Sequence, residues 1–139
     1  MANDFFSSME VSAAGLGVQR VRMNASSSNL ANVSTTRGAD GAGPYRRRDV
    51  VVEAVPVGAQ APGVFAAKVA AIAEDQAPPR LEFDPGHPDA NAEGYVAYPN
   101  VNMVEEMVDM ITASRAYEAG ITALDTAVAL AERATRIGG

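Results

Sequence analysis

The last third of the chain carries an apolar seam that constrains the fold more than any other feature. Met103, Met110, Tyr117, Leu124 and Ala131 recur at one heptad position, and Met107, Ser114, Ile121 and Val128 at the other. A seam running beyond three heptads points to a coiled-coil partner, because one globular face usually tolerates more drift and a shorter run. A long core helix in an ordinary domain is the competing interpretation. Local signals agree on a helix over about 102 to 137. Pro99 precedes it, Asn102 can cap it, and Glu105 stands three residues later in the capping-box arrangement. Glu105, Glu106 and Asp109 suit the positive end of the dipole, Arg133 and Arg136 the negative end, and Gly138-Gly139 follows as a stop.

A second amphipathic segment opens the chain. From about residue 4 to 33, Met9, Leu16, Met23 and Leu30 keep heptad spacing, flanked by Val11, Val18, Val21 and Ala25. Its intrinsic propensity is poor. Gly15 and Gly17 each cost about 1 kcal/mol relative to Ala in a helix interior, and Ser26-Ser27-Ser28-Asn29 competes for backbone hydrogen bonds. This helix needs a partner surface. The composition points the same way: 47% of the 139 residues are hydrophobic but only 6% are aromatic, with no Trp. One domain of this size, built from Ala, Val, Leu, Ile and Met, depends on helix seams and neighbours for burial.

Between the helices, Tyr45 to Val55, Val64 to Glu74, Leu81 to Phe83 and Tyr95 to Tyr98 read as strands, divided by Pro56, Gly58, Pro62-Gly63 and Pro78-Pro79. The alanines of Val64 to Glu74 would also suit a helix. The expected architecture is α+β: long N- and C-terminal helices packing as a coiled coil, with a small β-rich module between them. The boundaries are 1–36 for the first helix, 37–100 for the module and 101–139 for the last helix.

Several function classes are disfavoured. A net charge of −6 opposes nucleic-acid binding, which needs a basic footprint, and Arg46-Arg47-Arg48 is short enough to be a solvated strand or loop edge. The absence of cysteine excludes disulfides, thiolate metal sites and a Cys nucleophile. Met1-Ala2-Asn3-Asp4-Phe5-Phe6 lacks the basic and apolar regions of a cleaved secretory signal, and no window has the length and apolarity of a membrane span. His87, in Asp84-Pro85-Gly86-His87-Pro88-Asp89, could centre a small metal-dependent hydrolase, but two prolines and a glycine are what a tight turn requires. No G-x-S-x-G elbow or phosphate-binding glycine pattern occurs, and Gly38, Gly41 and Gly43 read as a flexible linker. Met103, Met107 and Met110 fit seam packing better than a thioether site. A stand-alone coiled-coil adaptor is a further alternative.

Two terminal motifs carry a resemblance. Ser27-Ser28-Asn29-Leu30-Ala31-Asn32-Val33-Ser34-Thr35-Thr36 resembles the N-terminal signature of flagellar rod, hook and hook-associated proteins, in which a serine and paired asparagines close the first helix. Ser114-Arg115-Ala116-Tyr117-Glu118-Ala119 resembles the C-terminal signature of that axial family, with Gly120 standing where asparagine is usual. Gly43-Pro44-Tyr45-Arg46-Arg47 and the stretch from Asp84 to Val96 resemble its short, proximal-rod members. The resemblance implies a non-enzymatic rod subunit with no cofactor. It also implies export through the flagellar type III apparatus without signal cleavage, and assembly with itself and other rod proteins in the periplasmic part of the basal body. The torque-transmitting axial tube would be built from the terminal helices. The assembly residues expected on this basis are Met9, Leu16, Met23, Asn29, Leu30 and Asn32 in the first helix. In the last helix they are Met103, Met107, Met110, Ser114, Arg115, Tyr117, Glu118, Ile121, Leu124 and Val128.

Overall fold

The computed structural model describes residues 2–58 and 62–138. Helix α1 spans Ala2–Ala31 and helix α2 spans Met103–Ile137. Between them lie strands β1 (Arg48–Pro56), β2 (Phe65–Glu74), β3 (Arg80–Phe83) and β4 (Tyr95–Tyr98). β1 pairs antiparallel with β2, and β3 with β4, as two separate hairpins. The alanine-rich stretch before Glu74 is therefore a strand, its register shifting once between Val51 and Val52. An α+β arrangement with a β module between terminal helices is what the sequence pattern implies.

The helices pack on one another, and α1 also contacts the first hairpin. Their antiparallel sense is fixed by Leu16 lying beside Gly120 and by Asn29 bonding Glu106. Asn102 caps α2 as expected, its Oδ1 accepting from the N–H groups of Val104 at 3.0 Å and Glu105 at 3.3 Å. At the far end the Gly138 N–H donates to the Ala134 carbonyl at 3.1 Å, while Gly139 lies outside the described residues.

The inner face of α2 differs from the expected seam in one of its two rows. Met110, Tyr117, Leu124 and Ala131 are half-buried, as heptad spacing implies. The companion row is Glu106, Ala113, Gly120 and Ala127, one residue before the expected Met107, Ser114, Ile121 and Val128. Of that expected row only Ser114 is partly covered, and Met103 is exposed too. The reason is size. Reading apolar character favours large side chains, whereas close helix packing favours small ones where the backbones approach. A Cβ on Gly120 would lie 2.7 Å from Leu16 Cδ2, so Leu16 occupies space that any other residue at 120 would contest. The glycine that stands where the resembling family carries asparagine is a seat for Leu16.

The loop from Gly38 to Gly43, expected as a flexible linker, is folded back on itself. The Gly38 N–H donates to Gly43 O at 2.6 Å and the Tyr45 N–H to Thr35 O at 3.0 Å. In the second hairpin, Val96 is fully buried, whereas Phe83 and Tyr95 pair edge-on across the outer face with centroids 5.3 Å apart. Gly94 is required there twice over. Its φ of +86° is left-handed, and a Cβ would meet Phe83 Cε2 at 2.9 Å.

Apolar burial is modest: Val18, Val57, Ala66, Val96, Pro99, Val101 and Ala113 are the buried apolar side chains among those described. Much of the apolar surface of α2 stays outside. Val104, Val108 and Ile111, on the side away from Glu106 and Ala113, are 69%, 56% and 55% exposed.

Candidate functional site

Three chain segments meet at a buried polar junction where α1 ends, β1 begins and α2 starts. At its centre is Asn29, only 1% exposed. Its Nδ2 donates to Arg48 O at 3.0 Å and to Glu106 Oε2 at 3.1 Å. Its Oδ1 accepts from the Tyr45 hydroxyl and the Arg48 N–H, each at 2.9 Å. One amide side chain thus uses both donors and both lone pairs, as a buried polar group must if burial is not to be costly.

Glu106 is equally buried at 1% exposure. Its Oε1 accepts from Arg47 Nε in a short ion pair, and Arg47 also reaches Asp49 at 2.6 Å and Asp109 at 3.8 Å. Burial alone would lower the Arg47 pKa. The hydrogen bond and charge of Glu106, with those of Asp49, outweigh it and hold the guanidinium above its ordinary value. Arg47 therefore stays charged opposite a carboxylate removed from water. The sequence had suggested a solvated arginine run and a Glu106 serving only the helix dipole. Arg46 and Arg48 are exposed, but Arg47 and Glu106 form the ionic part of the junction. Nothing in the pattern marks the middle arginine of three as different; the ladder register that begins at Arg48 does.

Asn32 closes α1 from outside. Its Nδ2 donates to Ser28 O at 2.8 Å and its Oδ1 accepts from the Thr35 hydroxyl at 3.1 Å. The chain then reaches the turn between β3 and β4. Thr36 Oγ1 donates to Asp89 Oδ2 at 2.7 Å and Arg37 Nε to Asp89 Oδ1 at 2.5 Å. His87 belongs to that turn: its Nδ1 accepts from the Asp89 N–H at 3.0 Å, and its ring meets Tyr98 edge-on. Among the described residues no three His, Asp or Glu side chains converge as a metal-ligand set.

The Thr36 hydroxyl first, and then the Arg37 guanidinium, hold the Asp89 carboxyl below its ordinary pKa. A carboxyl depressed in the folded state stabilises above its unfolded pKa and loses that contribution as pH falls through its lower folded value. Unfolding followed below about pH 4 should therefore show a weaker acid dependence for Asp89→Asn than for wild type. The difference should be small, since Arg37 is exposed. An unchanged acid profile would contradict the assignment.

The expected assembly residues fall into three groups. Asn29 is buried in the junction, and Met9, Leu16, Met23, Leu30 and Asn32 are half-buried on or just beyond α1. Met110, Ser114, Tyr117 and Leu124 are half-buried on α2, whereas Met103, Met107, Arg115, Glu118, Ile121 and Val128 are exposed. Sequence reasoning passed over Val104, Val108 and Ile111, whose shared face becomes evident only once the inner row is known. No helix among the described residues is long and apolar enough to cross a membrane.

Residues 92–137 match the family described as Flagellar basal body rod FlgEFG protein C-terminal. Over nearly the whole chain there is similarity to flagellar basal-body rod proteins FlgC. The protein from Borreliella burgdorferi is 42% identical over 95% of this chain and 96% of its own. That from Bacillus subtilis is 42% identical over 96% and 97%, and that from Salmonella typhimurium 40% over 93% and 94%. Similarity of this extent covers the junction, both helices and both hairpins together, and the chain belongs to the flagellar basal-body rod protein FlgC family.

Proposed function

We propose that this chain is a structural, non-enzymatic subunit of the flagellar basal-body rod. Its terminal segments, residues 1–36 and 101–139, would pack through α1 and α2 with those of copies of itself and of other rod proteins, with the module at 37–100 between them. The observation that carries the reading is the exposed stripe of Val104, Val108 and Ile111 on a helix whose opposite side is already closed by α1. A long amphipathic helix with apolar residues on both faces has one face more than a single chain can cover.

The alternating four- and three-residue spacing of the two inner rows of α2 taken together supports coiled-coil packing of the terminal helices. Met103, Met107, Ile121 and Val128, exposed here, extend the outward surface toward neighbours. Family membership supports export by the flagellar type III apparatus without signal cleavage, and a place in the periplasmic part of the rod, where the assembled tube transmits torque.

Ile111→Asp tests this reading. The side chain is more than half exposed, so the isolated subunit should keep its stability, while a carboxylate set in an apolar interface must be desolvated on assembly. Motility and recovery of rod-bearing basal bodies should be lost, with subunit expression and export retained. Normal swimming with Ile111→Asp would show that this stripe is not an assembly surface.

A further inference from the structure

Every polar atom that Asn29 offers is spent on joining secondary-structure elements. Two of its four hydrogen bonds go to the Arg48 backbone at the first residue of β1, one to Glu106 in the first turns of α2, and one to Tyr45 in the approach to β1. Arg47, immediately before β1, adds the ion pair to Glu106 and a longer contact to Asp109. Among the described helices and strands, the first hairpin packs along α1. Val51, Val52, Phe65 and Ile72 are exposed, while Val57 and Ala66 toward its far end are buried. A two-stranded ribbon of this length has little rigidity of its own. Its direction relative to the helices is set by this packing on α1 together with the junction at its base.

We propose that the Asn29–Arg47–Glu106 cluster is a rigid joint that fixes the β1–β2 hairpin to the helix pair, so that load on the hairpin passes into the terminal helices instead of bending the connection. The proposal rests on the rod-subunit reading for the load, but the joint is a property of the single chain. The physical basis is the buried charge. Glu106 tolerates its position only while Arg47 and Asn29 satisfy it, so swinging the hairpin away would strand a carboxylate in the protein interior. Arg47 is under less compulsion, since it keeps Asp49 and can turn toward water. The two partners are therefore unequal, and this asymmetry distinguishes a joint from a surface ion pair.

Hydrogen exchange on the purified full chain tests it. In wild type, the amides of β1, the last turns of α1 and the first turns of α2 should exchange through one shared opening. Arg47→Met should raise exchange in all three segments by about 100-fold, as expected for breaking a buried pair. Glu106→Gln should raise it by much less, because a neutral amide can still accept from Arg47 and Asn29. Adding Glu106→Gln to Arg47→Met should restore protection to the ends of α1 and α2, while β1 keeps exchanging faster than in wild type.

Independent opening of β1 and the helix ends in wild type would overturn the joint, as would a harmless Arg47→Met or a double variant no better than the single. These outcomes leave the rod reading untouched. That reading is judged separately by recovery of the wild-type chain in basal bodies.

Discussion

Asn29→Leu should be among the most destabilising single substitutions in this chain, lowering the unfolding free energy by about 3–5 kcal/mol, at the upper end of what one residue does. Leucine keeps the branching of asparagine but is bulkier and cannot hydrogen-bond, so some overpacking adds to the loss of the hydrogen bonds. It would leave the Arg48 N–H and carbonyl, the Tyr45 hydroxyl and Glu106 Oε2 each short of one partner. Tyr45 can fall back on Ser28, 3.3 Å away, and Glu106 keeps Arg47. The Arg48 backbone groups have no comparable replacement in the junction. Each buried polar group left without a partner costs about 1–3 kcal/mol, which the two backbone groups and part of the Glu106 loss bring to the stated range. Urea unfolding of the purified full chain measures this directly. Asn29→Asp should be at least as damaging, because it sets a second carboxylate beside Glu106 and removes the Nδ2 donor. A wild-type urea midpoint for Asn29→Leu would refute the central place given to this residue.

That prediction could not have been made from the pattern alone, and the reason is physical. The sequence marks Asn29 as one of the paired asparagines closing a helix, a role that Asn32 fills through Ser28 and Thr35. Asn29 instead turns inward, because the chain returns from the Gly38–Gly43 loop and brings Tyr45 and Arg48 against the end of α1. Long-range return of this kind leaves no local periodicity. Glu106 is hidden for the same reason: at the start of a helix a glutamate is explained by the dipole, and only a tertiary partner reveals that it is buried.

Local signals fared differently. The Asn102 cap, the four strands and the extents of both helices follow from capping chemistry, β-branched runs and prolines, all of which act within a few residues. The half of the helix seam marked by large side chains, Met110, Tyr117 and Leu124, is also where it was expected. The other half consists of Ala113, Gly120 and Ala127, which hydropathy weighs lightly and helix proximity demands. A seam defined by what is small is nearly invisible to a search for what is apolar.

The two rows can be separated by charge. Leu124→Asp should destabilise the isolated subunit as well as abolish rod assembly, because Leu124 is on the half-buried inner face of α2, whereas Ile121→Asp should act mainly on assembly. Truncating a buried leucine to alanine typically costs about 2–5 kcal/mol. Aspartate adds the desolvation of a carboxylate or the free energy of protonating it, though partial exposure at this position lets the charge reach water and moderates that addition. Ile121 is 39% exposed and lies off the inner face, so its replacement disturbs less intramolecular packing and is felt chiefly where a neighbour covers it. Glu132→Ala, on the exposed surface, should change neither property measurably. The measurements are urea unfolding of each purified variant and recovery of basal bodies from cells carrying it, with expression and export followed in parallel. A clearly larger stability loss in Leu124→Asp than in Ile121→Asp is the expected result. Equal loss in both would restore the seam read from large side chains and displace the inner row of Ala113, Gly120 and Ala127.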